Sequence, residues 1–92
     1  IWMKICRITY KGEVQGVGFR WTAQRISRLF DVTGWVRNLS SGEVELTAAG
    51  DEREVRAFLQ AIRESELGVG ISGELEAWAE TETGFEGFSI RY

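Results

Sequence analysis

The seven residues Val14 to Arg20, VQGVGFR, put two glycines one residue apart ahead of an arginine, between a run rich in β-formers and a run with helical periodicity. Gly16 and Gly18 can take positive φ and bare the backbone, so consecutive N–H groups can converge on a phosphate. A helix starting nearby adds the positive end of its dipole, and Arg20 can close the bowl with a two-pronged contact. The same glycine spacing also suits a plain turn between strand and helix, and on spacing alone both readings stand. Two other phosphate motifs are excluded. The third glycine or alanine position of a dinucleotide fingerprint is held by Trp21, and the chain has no GxxxxGK[ST].

Asn38 is the second residue of chemical interest. In TGWVRNL it shares a strand face with apolar Val36, which puts an amide where a core side chain is expected, just before a turn. It can serve a site there, or merely open the turn through an Asx-type hydrogen bond. Arg37, on the other face, is expected to be exposed, and Trp35 to pack.

Other chemistries find no support. The chain has no histidine, which removes Ser/His catalysis, and its single Cys6 can form no internal disulfide. A Cys-x5-Arg phosphatase loop from Cys6 would need arginine where Gly12 stands, so Cys6 reads as a small apolar residue of the first strand. Asp31 and Asp51 are the only aspartates and the glutamates are scattered, so no metal cluster or catalytic carboxylate pair stands out.

The elements that must position these residues follow from periodicity. MKICRITYKG, residues 3–12, reads as a central strand with Cys6, Ile8 and Tyr10 on one face. Trp21 to Phe30, extended backward by Phe19, carries Ala23, Ile26 and Phe30 at helical spacing over about three turns. Thr33 to Leu39 and Glu43 to Ala49 form a hairpin about Ser40-Ser41-Gly42, with Val44, Leu46 and Ala48 inward and Glu45 and Thr47 outward. Asp51 and Glu54 have capping-box spacing before a second helix with the stripe Val55, Phe58, Leu59 and Ile62, fading near Ser65. Leu67 to Gly73 reads as a glycine-rich loop, Glu74 to Glu82 as a strand, and Phe88, Ile90 and Tyr92 as a short last strand that can pair internally or with a neighbour. The expected fold is α+β: a ferredoxin-like βαββαβ sandwich, two helices on one face of a mostly antiparallel sheet, with a short extra C-terminal strand.

With 92 residues the chain is expected to form one small domain over 1–92. Its formal net charge of −3 argues against loose binding to nucleic acid or an anionic membrane, and no apolar run is long enough to span a bilayer. A cytoplasmic, zinc-free protein is expected. IWMKICR offers no usable signal peptide, and Ile1 and Trp2, ahead of Met3, are given no function.

VQGVGFR at 14–20, the asparagine of GWVRN eighteen residues after Arg20, and SGEVE at 41–45 together resemble the acylphosphatase family, over almost the whole chain. The resemblance implies a ferredoxin-like fold and cofactor-free, metal-free hydrolysis of small acyl phosphates to a carboxylate and inorganic phosphate. It implies that Arg20 binds the phosphoryl oxygens, that Asn38 orients the attacking water, and that the backbone N–H groups of Gln15, Gly16, Val17, Gly18 and Phe19 complete the cradle. The chain departs from the family at two points: Ser41-Gly42 replaces the usual Asp-Gly, and the loop before the fourth strand lacks proline. Such chemistry needs no histidine, because a carboxylate is already a good leaving group and positioning with charge stabilisation suffices. The expected partner is a small-molecule acyl phosphate, with no nucleic acid or membrane and a monomeric state. The rival reading is a non-catalytic phosphate-binding or regulatory module. RNA binding, faintly echoed by GVGFRW, is disfavoured because its glycines fall in a turn rather than on a central strand.

Overall fold

The structure, a computed structural model, describes residues 2–92, so the reading of Ile1 lies outside the described residues. Alternating apolar residues make strands and three-to-four spacing makes helices, in the order β1 (Met3–Gly12), α1 (Phe19–Ser27), β2 (Val32–Asn38), β3 (Val44–Gly50), α2 (Glu52–Glu64), a 3-10 turn (Glu66–Gly70), β4 (Ile71–Thr81) and β5 (Phe88–Arg91). The sheet order is β4-β1-β3-β2-β5; β1 runs antiparallel to β3 and β4, β2 antiparallel to β3, and β5 parallel to β2.

One sheet face carries Cys6, Ile8, Tyr10, Val36, Val44, Leu46 and Ala48, and the stripes Ala23, Ile26 of α1 and Val55, Phe58, Leu59, Ile62 of α2 join them in one buried cluster. Removing these apolar surfaces from water is the main stabilising term and holds both helices on this face. Burial pushes the Cys6 thiol up to about 12, and the Glu76 carboxylate adds to the rise, so the thiol stays protonated in the core.

Three local features differ most from expectation: the end of α1, the capping of α2 and the segment before β4. Helix α1 stops at Ser27 because the N–H groups of Arg28, Leu29 and Phe30 bond three residues back, tightening the last turn; Phe30 still packs against the core from beyond the helix. Asp51 caps α2, its Oδ1 accepting from Arg53 N–H at 2.9 Å, but Glu54 does not complete the box and instead accepts from Asp31 N–H at 2.7 Å. The expected loop 67–73 is a 3-10 turn running directly into β4, which starts three residues early. Gly70 lies so close to Glu13 O that a Cβ would collide, and Gly70 O accepts from Glu13 N–H at 2.8 Å. Glycine there permits close backbone approach, which the sequence pattern cannot distinguish from looseness.

Thr47 lies on the helix-free face, as alternation requires, yet it is only 2% exposed. Its register partners Arg7 and Trp35 flank it, and Trp35 is itself 7% exposed with the guanidinium groups of Arg37 and Arg91 over its ring. The last strand pairs internally, parallel to β2, with Gly34 opposite Phe88 and Val36 opposite Ile90.

Candidate active site

The cradle begins where β1 leaves the sheet. Glu13 is tied to Gly70 by its backbone, Val14 is fully buried, and the chain then rises through exposed Gly16, Val17 and Gly18 before Phe19 buries again. The Phe19 ring packs 4.9 Å from Tyr10, centroid to centroid. Two buried anchors therefore hold a solvent-facing bow between them. Gly16 and Gly18 have φ of 76° and 75°, and a Cβ at either would meet nothing within 4 Å. Conformation rather than space requires glycine there, since left-handed backbone is costly for a side chain.

Gly18 is also the N-cap of α1. It supplies no side-chain hydrogen bond, and the first turn holds no acidic residue. Gly18 O accepts from Thr22 N–H at 2.9 Å, the first helical bond. The first N–H groups of a helix have no partner within it and carry the positive end of its dipole. Such an end suits an anion.

Arg20, in that first turn, is half-buried. Its Nη1 donates to Arg91 O at 3.5 Å, and its guanidinium carbon stands 4.7 Å from the centroid of the Tyr92 ring. A guanidinium has five N–H donors, so one bond to Arg91 leaves most of them for a ligand while limiting the side chain's freedom.

Asn38 ends β2, opposite Val44 in the hairpin register, and is half-buried. The following turn is closed without its amide: Leu39 N–H donates to Glu43 O at 2.8 Å, Gly42 N–H to Leu39 O at 3.1 Å, and Ser41 Oγ bonds Glu43. The Asx reading of Asn38 is thus not what shapes this turn.

These parts meet. A hollow of about 230 Å³ is lined by Val14, Gly16, Gly18, Phe19, Arg20, Trp21, Asn38, Ile90 and Tyr92. Gly16, Gly18, Phe19, Arg20 and Asn38, all candidates from the sequence, line one cavity, with Gln15 and Val17 in the same loop.

The contributions of four side chains or termini, at Gln15, Trp21, Arg91 and Tyr92, escaped the sequence reading. Gln15, expected to offer only its N–H, uses its side chain as a brace: Nε2 donates to Leu39 O at 2.7 Å and to Glu43 O at 2.8 Å, joining the cradle to the turn behind Asn38. Arg91 and Tyr92 reach Arg20 because β5 lies beside β2. Trp21 lines the mouth of the hollow with its indole exposed. A glutamine next to a glycine loop gave the only signal for the brace, and it did not reveal the partner.

Among the described residues, no group of three or more His, Cys, Asp or Glu side chains is placed to hold a metal ion, and no helix is long and apolar enough to cross a membrane.

Comparison with known proteins places this geometry among relatives. A family model described as Acylphosphatase matches residues 6–90. A curated acylphosphatase of Salinibacter ruber is 41% identical over 85 residues, 92% of this chain and 87% of the relative. The crystal structure of acylphosphatase from Bacillus subtilis superposes with a TM-score of 0.75 at 32% identity, covering 97% of this chain and 99% of that one. Full-length HypF, solved in a phosphate- and nucleotide-bound form, holds a similar region at a TM-score of 0.86 and 28% identity, covering 98% of this chain and 12% of that one.

Proposed function

The chain belongs to the acylphosphatase family, and from its geometry we propose how its own residues carry out acyl phosphate hydrolysis. It is an acylphosphatase: the carboxyl-phosphate bond of an acyl phosphate is cleaved by water to give a carboxylate and inorganic phosphate.

In the proposed site the phosphoryl group rests on the N–H groups of Gln15 to Phe19, at the uncapped start of α1, with Arg20 closing the bowl. Negative charge spreads over the equatorial oxygens in the transition state, and preformed N–H donors with a guanidinium meet it without reorganising. Asn38 holds the water in line with the departing carboxylate oxygen. As water oxygen bonds to phosphorus, the phosphorus–oxygen bond to the acyl group breaks and its electron pair leaves on the carboxylate. The water proton passes to a phosphate oxygen, so no protein base is required. Gln15 fixes the distance between the two walls, because its amide ties the cradle to the turn that follows Asn38. The enzyme is proposed to act on dissolved small molecules in the cytoplasm as a monomer, without metal.

One observation carries this reading: the glycine-capped start of α1, with Arg20 in its first turn, and Asn38 at the end of β2 line the same hollow. A phosphate-binding module would have use for the first two but not for an amide across the hollow from them. Phosphate release from acetyl and benzoyl phosphate, measured with and without thorough chelation, tests the reading. Turnover unaffected by chelation is expected. Tight phosphate binding with no turnover would favour the binding module, and turnover lost on chelation and restored by a divalent ion would reject the metal-free mechanism.

A further inference from the structure

We propose that Trp21 makes this enzyme select acyl phosphates whose acyl group is aromatic or otherwise broadly apolar over those with a small polar acyl group. The inference rests on the reading of the site given above and adds its substrate class.

Seven large hydrophobic side chains are exposed among the described residues, and three of them, Val17, Trp21 and Tyr92, belong to the cradle loop or the mouth of the hollow. Val17 is 53% exposed at the tip of the loop, between the two glycines, and Trp21 is 63% exposed on the first turn of α1, next to Arg20. Single exposed hydrophobics are ordinary on a protein surface, but a concentration about one hollow marks a contact surface. This fold buries another indole well: Trp35 is 7% exposed. The guanidinium of Arg25 lies 5.4 Å from the Trp21 ring centroid, which steadies the indole at the mouth.

The direction of the substrate follows from the walls. The base of the hollow is closed by buried Val14 and Phe19, and the loop N–H groups and Arg20 take the phosphoryl oxygens. Asn38 occupies the side assigned to water. The acyl group must therefore project outward, past Trp21. A flat aromatic or branched apolar acyl group covers the indole and sheds water from both surfaces. An acetyl or carbamoyl group is too small to do so. Partial burial of an aryl face is worth about tenfold in affinity, or about 1.4 kcal/mol.

The test compares kcat/KM for benzoyl phosphate and acetyl phosphate in the wild type, Trp21→Ala and Trp21→Phe, with inhibition by phenylphosphonate and methylphosphonate in the same assay. Intrinsic substrate reactivity is common to the three proteins, so only the change in the benzoyl-to-acetyl ratio between proteins is read. The expected result is a ratio about tenfold lower in Trp21→Ala, carried by a higher benzoyl phosphate KM, a parallel loss of preference for phenylphosphonate, and retention of most of both preferences in Trp21→Phe. Because the indole is exposed, folding is expected to survive, and circular dichroism checks it. An unchanged ratio in folded Trp21→Ala, or an equal loss with both substrates, would overturn the selectivity role while leaving the enzyme's activity standing. Absence of both turnover and inorganic phosphate binding in the wild type would instead overturn the reading of the site, and the selectivity role with it.

Discussion

The two helices begin in opposite ways. Helix α2 closes its own N-terminus: Asp51 accepts from Arg53 N–H, and Glu52 and Glu54 bring negative charge to the first turn. Helix α1 leaves its N-terminus open, with left-handed Gly18 at the cap, no side-chain bond and no acidic residue in the first turn. A side-chain cap stabilises a helix by about 1 kcal/mol. The chain takes that stabilisation at α2 and forgoes it at α1, where Gly18, Phe19 and Arg20 line the hollow with Asn38. Local stability and anion binding compete for the same donors, and the two helices resolve the competition differently.

The largest effects are expected where the open end depends on side chains. Arg20→Ala should lower kcat/KM by about 10³-fold and weaken inhibition by inorganic phosphate, and Arg20→Lys should restore little because an ammonium lacks the paired geometry. Asn38→Ala should cut kcat by about 10²-fold with phosphate inhibition nearly unchanged, since it misplaces water and not the anion. Steady-state kinetics with phosphate as inhibitor separates the two roles. Normal kcat in folded Asn38→Ala would remove the amide from the mechanism.

Converting α1 to the style of α2 breaks the comparison directly. Gly18→Asp puts a carboxylate where phosphate is proposed to sit, and Gly18→Asn, which tolerates left-handed backbone equally well, puts a neutral cap there. The aspartate should weaken phosphate binding by about tenfold more than asparagine does, with the excess shrinking in high salt. Equal binding in the two variants would mean that the helix start does not hold the anion.

The brace between the walls should matter less than either wall. Gln15→Leu removes both bonds to the turn behind Asn38, and kcat is expected to fall about tenfold with a smaller change in phosphate inhibition. Combining it with Asn38→Ala should add little further loss, because both changes misplace the same water.

At the closed end the effect should be one of stability only. Asp51→Ala should cost about 1 kcal/mol in urea unfolding and leave phosphate inhibition unaltered. Beneath both helices, Cys6 is held protonated to about 12 in the fold against 9.0 for a free thiol. The folded state thus binds this proton more tightly than the unfolded state. The resulting stabilisation is full below pH 9 and is lost as the pH rises through about 12. At neutral pH the native thiol should resist alkylation until the protein is unfolded, which a mass shift after iodoacetamide would read.

How much of this was legible differs from residue to residue. Cys6, Ile8 and Tyr10 declare a buried face through alternation, and Val55, Phe58, Leu59 and Ile62 declare a helix stripe, because burial on one face imposes a period on the chain. Gly16, Gly18 and Arg20 were legible as a cradle candidate, because positive φ and a guanidinium are properties of the residues themselves. The sequence pattern of Leu67 to Gly73 predicts a loop where the fold has a 3-10 turn and the start of β4, since a glycine that lets backbones touch looks the same in sequence as one that loosens a segment.

The sequence by itself determined the strand and helix faces, the glycines of the bow and the Asp51 cap of α2. All of these are set by neighbours a few residues apart. Only the tertiary structure decided which wall each functional group joins. Arg20 reaches Arg91 O across 71 positions, Gln15 reaches Leu39 and Glu43 across 24 and 28, and β5 lies parallel to β2 instead of at a neighbouring molecule. Such contacts leave no local period, because any polar side chain can bond any carbonyl that the packing brings within reach. It is burial of the helix stripes against the sheet that brings those carbonyls there.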